Sequence, residues 1–364
     1  AKPVFNTGIS KEWLNDAITM LCRHYNISSP KRIFTSLQSH QRTKNPINNR
    51  NHYTPNAPTT TLRPRPLTTK HPAPIRTLPI AEEILPRRQH PPTSSPSTQD
   101  DIANALREHF SWKTPVIIRA AVLSSDACRK WTNLEYLQTT VGENTPCEVE
   151  IGAGYNDPSI SKPSIPFESY IDYIRLFEET YYVDDDGSRP VPPPEEMVYC
   201  AQNVLFDGLT KDFTVPSFLS DKSYGVGDGA LYDCHVYFGP RGSMSPLHYD
   251  PMDNVILQFV GEKRVLLFPQ TTLSEDEEEF FLSTMRTRQR QGVDWYYAGE
   301  EGQQYNTSPI DVEEVDWERY PRFRMAPPAL EGVLRAGDLL YVPKRWWHHV
   351  RNLERSLAIN CFWH

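Results

Sequence analysis

"SPLHYDPMDNVILQFVGEKRVLLFP", residues 245–269, carries two patterns in one run. Its later part masses Val, Ile, Leu and Phe on either side of Gly261, as two short buried strands joined by a turn would. Its earlier part sets His248 and Asp250 two positions apart, just before Pro251. In an extended strand residues i and i+2 point to the same face. One imidazole and one carboxylate are thereby offered to a single point. That is most of a metal site, and the remainder must come from elsewhere in the chain.

Gly261-Glu262 places glycine first in a two-residue loop, as a type II′ hairpin requires. In such a hairpin Val260 pairs with Lys263. Asn254, Ile256 and Gln258 then share a face with Lys263, Val265 and Leu267. His248 and Asp250 have the same parity, and Pro251 is where the register is most open to a break. One face would collect His248, Asp250, Asn254 and Lys263. The plain alternative is that Lys263 caps an exposed edge and His248 is an ordinary turn histidine. Against it, a lysine among aliphatic side chains is costly to bury unless it meets an anion.

The complement lies in "AGDLLYVPKRWWHHVRNL", residues 336–353, a strand, a proline and two adjacent histidines. Distant strands of a jelly-roll lie side by side. A late histidine can therefore complete a His-Asp-His set with open metal positions, the signature of non-haem Fe(II) oxygenases. Parity admits only one of His348 and His349 to that face and does not say which.

The chain has 364 residues, room for one large or two ordinary domains. Its net charge of −8 hides an asymmetry. Residues 29–98 hold 13 prolines and 11 Lys and Arg against two acids, Glu82 and Glu83, so the rest is strongly acidic. This segment lacks the apolar residues to offset the entropy of ordering, so it is expected to be a disordered linker or tail. Its functional reading is a nuclear-localisation or nucleic-acid-binding arm, although its basic residues are dispersed. Before it, residues 1–28 contain a short amphipathic helix over 10–24, with Ser10 as N-cap. Residues 99–364 form the body, interrupted by an acidic and Arg-rich loop insertion at 274–304 that is either plain surface or a substrate-docking loop.

Six scattered cysteines with no C-x-x-C pair argue against a structural zinc site and a disulfide scaffold. No apolar run is long enough for a membrane span, and the start lacks a signal-peptide core. A nuclear or cytoplasmic setting is the default. The chain begins at alanine, consistent with a piece of a longer protein. Helical patterns at "DDIANALREHF", "NLEYLQTTVG" and "FESYIDYIRLFEET" gather ahead of a series of short strand-like runs. "TPVIIRAA" and "CEVEIG" read as earlier strands. These runs imply a mainly β sandwich or jelly-roll with helical decoration.

From about residue 99 to 364 the chain resembles the JmjC-domain, 2-oxoglutarate-dependent oxygenases. The resemblance runs through "YFGPRGSMSPLHYDPMDNVILQFVGEKRVLLFP" and "GDLLYVPKRWWHHV". "EVEIG", "VYCAQNVLFD", "NTSPIDVE" and the closing "FW" are most similar to the arginyl-hydroxylase branch, whose members are also described as lysine demethylases. "WWHH" is shared with the asparaginyl hydroxylases. The resemblance implies a cupin-like double-stranded β-helix that uses Fe(II), 2-oxoglutarate as co-substrate, and O2. It implies His248, Asp250 and His348 as iron ligands and Lys263 as partner of the distal carboxylate of 2-oxoglutarate. Tyr199, Ser245 and Asn254 match further co-substrate contacts, and Glu150 matches an acid that pairs with a substrate guanidinium. Tyr237 stands where that branch has tryptophan, so the substrate pocket is expected to differ. The implied partner is a protein or peptide, histone, ribosomal or chromatin-associated. The implied activity is side-chain hydroxylation. The alternatives are N-methyl-lysine demethylation, asparaginyl hydroxylation and a non-catalytic cupin-like binding module.

Overall fold

The computed structural model describes residues 75, 77–84, 97–152, 160–181, 197–269 and 306–363. The chain divides into Ala1–His71 and Pro72–His364, and all of the described residues belong to the second unit. The expected helix at 10–24, the insertion at 274–304 and most of the 29–98 segment lie outside the described residues.

In chain order the strands and helices are β1 (Thr77–Pro79), β2 (Ala81–Ile84), α1 (Ser97–Trp112), β3 (Val116–Arg119), α2 (Asp126–Lys130) and α3 (Leu134–Val141). Next come β4 (Pro146–Glu148), β5 (Glu150–Ile151), β6 (Ser164–Pro166) and α4 (Phe167–Thr180). The remainder is strand-rich: β7 (Val198–Val204), β8 (Leu231–Gly239), β9 (Met244–His248), β10 (Asp253–Val260) and β11 (Lys263–Phe268). It closes with β12 (Ala329–Leu334), β13 (Leu339–Val342), β14 (Trp347–Asn352) and β15 (Ser356–Trp363).

The helices fall where local chemistry dictates. The Asn133 side chain accepts from the N–H groups of Glu135 and Tyr136, capping α3, which ends at Gly142. α4 buries Phe167, Tyr170, Ile171, Ile174 and Phe177 at helical spacing. The Tyr170 hydroxyl donates to the Phe238 carbonyl and so ties α4 to β8.

The strands form a sandwich. One sheet has five strands in the order β1-β12-β11-β14-β9, and the other has eight in the order β2-β3-β13-β10-β15-β8-β7-β5. Ile256 of β10, Val265 and Leu267 of β11, Leu340 and Val342 of β13, Val350 of β14 and Ala358 of β15 meet in one buried cluster between them. Burying each Val, Leu or Ile of this cluster contributes ~1.5–3 kcal/mol relative to exposure. A second cluster, with Leu247, Leu266, Phe268 and Trp347, covers the back of the five-stranded sheet against Ile310, Val312 and Phe323.

Three expectations are corrected. β10 and β11 do not form a hairpin: β10 pairs with β13 and β15, and β11 with β12 and β14. Gly261-Glu262 instead carries the chain from one sheet to the other. The segment linking β14 and β15 crowds this crossing, since the Leu353 N–H donates to the Glu262 carbonyl. At Gly261, where φ is +68°, a Cβ would lie 2.0 Å from the Arg355 carbonyl oxygen. The face assignment nevertheless holds, because Ile256, Val265 and Leu267 converge across the sandwich and not along a ladder.

Second, the 29–98 segment expected to be disordered includes two strands. β1 runs parallel to β12 and β2 parallel to β3. Ile80 between them is buried in the inter-sheet core, and Glu82 is held by Arg119. Composition over a long window missed "TLPIAEEI", whose stability comes from partners far away in sequence. Third, "CEVEIG" is not one strand: β4 pairs with β6, whereas β5 pairs with β7.

Candidate metal centre

β9 and β14 are antiparallel neighbours, and His248 stands directly opposite His348 in their register. The two imidazole rings lie 4.0 Å apart between centroids. Asp250 follows the end of β9, so strand geometry places His248 but not Asp250. The loop carries Asp250 back: its carbonyl accepts from the Arg345 N–H at 2.7 Å, and its carboxylate reaches 3.6 Å from Nε2 of His348. One donor atom from each of His248, Asp250 and His348 falls within a mutual 4.8 Å.

That loop is anchored by Asp253. Its Oδ1 accepts from the Tyr341 hydroxyl at 2.7 Å and from the Lys344 N–H at 3.1 Å, while its Oδ2 meets the Lys113 ammonium at 3.2 Å. On the other side of β9, His248 bridges to Thr307. There the Tyr249 N–H donates to the Asn306 carbonyl and the Ser308 N–H to that of Leu247, covering the edge of β9.

The parity question over the two adjacent histidines is resolved by β11. His348 pairs with Leu267 and His349 with Leu266. Leu267 belongs to the inter-sheet core and Leu266 to the cluster behind the sheet. His348 therefore faces inward beside His248, and His349 faces away. Burial pushes the His349 imidazole down to about 3.

Backbone carbonyls orient both inward histidines. Nδ1 of His248 lies 2.7 Å from the Pro246 carbonyl, and Nδ1 of His348 lies 2.9 Å from that of Trp346. A carbonyl only accepts, so each Nδ1 donates, and Nε2 is the ring nitrogen left to face a metal. Burial, and then the neighbouring His348, push His248 down to about 3, so it is neutral near pH 7. Two imidazoles and one carboxylate are the donor set of a 2-His-1-carboxylate iron centre.

Lys263 lies on the same inner surface, at the start of β11. It is 2 % exposed, and its Nζ donates to Oδ1 of Asn352 at 2.7 Å. Among the described residues no carboxylate pairs with this ammonium, and burial pushes it down to about 7. Asn352 is fixed in turn by donating its amide to the carbonyls of Gly239 and Pro240. Sequence reasoning did not single out Asn352. Its parity with His348 along β14 was the available signal.

The remaining expected residues gather around this interior. The Lys263 ammonium lies 5.9 Å from the centre of the Tyr199 ring, whose phenol meets the Ser245 hydroxyl. Burial raises the Tyr199 phenol above its ordinary range. Gly239 makes room for that ring, since a Cβ there would lie 2.5 Å from it. Asn254 donates to Asp250 at 3.4 Å, and its own buried Oδ1 has no hydrogen-bond partner among the described residues. Tyr237 stands 6.4 Å from Tyr199 between ring centres, and burial followed by the Asp250 carboxylate raises its phenol. Glu150 pairs with Tyr199 across β5 and β7 and binds the Lys162 ammonium at 2.8 Å. Lys162 was not anticipated from the sequence.

The fold and the inward His-Asp-His set agree with one class: the chain belongs to the cupin-like domain family, matched over residues 103–364. It is similar to lysine-specific demethylase 8 of Danio rerio, 32% identical over 258 residues, 69% of this chain and 53% of that protein. Lysine-specific demethylase JMJ30 of Arabidopsis thaliana is 29% identical over 261 residues, 71% of this chain and 52% of that protein. Jumonji C domain-containing protein 5 of Drosophila melanogaster is 26% identical over 297 residues, 80% of this chain and 64% of that protein. The matches to the first two thus span about half of those proteins.

Proposed function

We propose that the chain is an Fe(II)- and 2-oxoglutarate-dependent dioxygenase that hydroxylates a side chain of a protein substrate, with arginine as the target. The observation that carries this reading is the pairing, within one interior, of the His248-Asp250-His348 set with the buried ammonium of Lys263. A dicarboxylate that chelates a metal through one end needs a fixed cation for the other, and Lys263 offers one that no carboxylate of the described chain claims.

His248 and His348 would hold iron through Nε2, and Asp250 through its carboxylate. Lys263 would take the distal carboxylate of 2-oxoglutarate, with Asn352 aiming the ammonium and Tyr199, Ser245 and Asn254 lining the path. When bound, iron with 2-oxoglutarate and O2 supplies the oxidising power to break a substrate C–H bond. The aliphatic core around Val265 and Leu267 excludes water, and Glu150 would steer a cationic side chain toward the centre.

N-methyl-lysine demethylation on the same residues is the second reading, supported by the names of the relatives from Danio rerio and Arabidopsis thaliana. A histone, chromatin-associated or ribosomal protein fits either chemistry, in the nucleus or cytoplasm. No helix of the described residues is long and apolar enough to cross a membrane. Mass spectrometry of candidate peptides incubated with the protein, Fe(II) and 2-oxoglutarate separates the readings. Gain of one oxygen on arginine supports hydroxylation, and loss of a methyl from lysine supports demethylation. Turnover of 2-oxoglutarate that persists in His248→Ala would contradict both.

A further inference from the structure

We infer that Lys162 is a built-in competitor for Glu150, and that this competition makes the site select a guanidinium over an ammonium. The inference deepens the oxygenase reading and takes from it only that a substrate side chain enters the interior beside Glu150.

The geometry is that of a cross-strand pair. The Val149 N–H donates to the Pro163 carbonyl, and Ile151 and Ser161 exchange both of their backbone hydrogen bonds. Glu150 and Lys162 therefore stand opposite one another between those rungs. On its other flank Glu150 is opposite Tyr199. Lys162, Glu150 and Tyr199 share one face, and Tyr199 packs near Tyr237 and Lys263. Glu150 thus sits on the wall of the metal-bearing interior.

The two partners differ in exposure. The Glu150 side chain is 7% exposed and that of Lys162 is 51% exposed, with 2.8 Å between nitrogen and oxygen. A buried carboxylate requires a cation. Lys162 meets that need from the solvent side, on a long stem that can swing out when a better partner arrives. Among the described residues Lys162 is the only cation paired with this carboxylate.

Chemistry then decides which cation displaces it. A substrate lysine offers the same single-point ammonium contact, and it must compete with a tethered copy present at ~millimolar effective concentration. Nothing is gained in the exchange. Methylation of that lysine removes N–H donors and worsens its position. An arginine offers two parallel N–H···O bonds to the carboxylate from a rigid, weakly hydrated plane. Only the guanidinium gains by replacing Lys162.

The test uses the full chain with Fe(II) and 2-oxoglutarate under argon, so that binding is read without turnover. Two fluorescent peptide libraries with identical random flanks and a central arginine or a central lysine are titrated by anisotropy. The wild type is expected to prefer the arginine library by about tenfold or more. Lys162→Met is expected to tighten the lysine library more than the arginine library, shrinking the preference severalfold. Lys162→Arg, which installs a bidentate competitor, is expected to weaken the arginine library and controls for any loss of folding in the first variant. An unchanged preference in Lys162→Met, no preference in the wild type, or no binding of either library would overturn the inference. Succinate formed from 2-oxoglutarate in air is measured on the same preparations. An unshifted preference in an active protein refutes only the role of Lys162, whereas a shifted preference without succinate refutes the oxygenase reading.

Discussion

Replacing Lys263 with methionine separates the cost of a buried ammonium from its use. Methionine keeps the length of the side chain and removes the charge. In the polypeptide alone, burial lowers this group from 10.5 to about 7. At ~1.36 kcal/mol per pKa step, and discounted for relaxation, holding the charged form inside costs on the order of 2–4 kcal/mol. Lys263→Met is therefore expected to raise the stability of the protein purified without iron and 2-oxoglutarate, although Asn352 loses the donor at 2.7 Å. The same change removes the cation that would meet the distal carboxylate, a charge-assisted hydrogen bond worth roughly 1.5–3 kcal/mol. At ~1.4 kcal/mol per tenfold, affinity for 2-oxoglutarate should fall by about one to two orders of magnitude. Iron affinity should be nearly unchanged, because Lys263 is not among the three ligands. Thermal unfolding and separate calorimetric titrations of Fe(II) and 2-oxoglutarate read all three quantities. Unchanged 2-oxoglutarate affinity in Lys263→Met would refute the reasoning.

The other residues carry expectations of their own. His348→Ala should abolish iron-dependent 2-oxoglutarate turnover while His349→Ala keeps measurable activity, since only the first faces inward; the reverse outcome in a succinate assay would show the wrong histidine was chosen. Only protonated Lys263 can pair with a carboxylate, so 2-oxoglutarate affinity should fall as pH rises above about 7, by up to about tenfold per pH step. The stability penalty has the opposite consequence: it is full below about 7 and fades as pH rises toward the unfolded value of 10.5, so the advantage of Lys263→Met should be smaller at pH 10 than at pH 7. A chain starting at residue 72 should fold and decarboxylate 2-oxoglutarate. One starting at residue 95 loses the core contact of Ile80 and the Glu82–Arg119 pair and should be less stable by about 2–5 kcal/mol, as denaturant titration would show. Gly261→Ala meets both a φ of +68° and the Arg355 carbonyl, and should cost about 1–3 kcal/mol or more by the same measurement.

How much of this was legible in the sequence depends on how local each feature is. His248 was placed by strand parity, and α4 coincides with "FESYIDYIRLFEET" because a helix is decided by its own residues. The convergence of Lys263 with the histidines was also legible, though the hairpin argument for it failed. Parity fixes which side a residue faces and is blind to which strand lies beside it. β10 and β11 take their partners from segments far away in sequence, which a reading of Gly261-Glu262 alone could not reveal. For the same reason β1 and β2 escaped notice, since "TLPIAEEI" becomes strand only against β12 and β3. The choice between His348 and His349 required the pairing with β11, although the family resemblance pointed to His348. Lys162 could have been found only by knowing that residues 149–151 return against 161–163.

In the proposed chemistry one iron would sit on His248, Asp250 and His348, and 2-oxoglutarate would bind through it. Anaerobic calorimetry of the full chain, first with Fe(II) and then with 2-oxoglutarate, tests this most directly. The expected result is one iron per chain, tight 2-oxoglutarate binding only after iron is present, and loss of both in Asp250→Ala. Iron and 2-oxoglutarate binding that survive in Asp250→Ala and His248→Ala would contradict it.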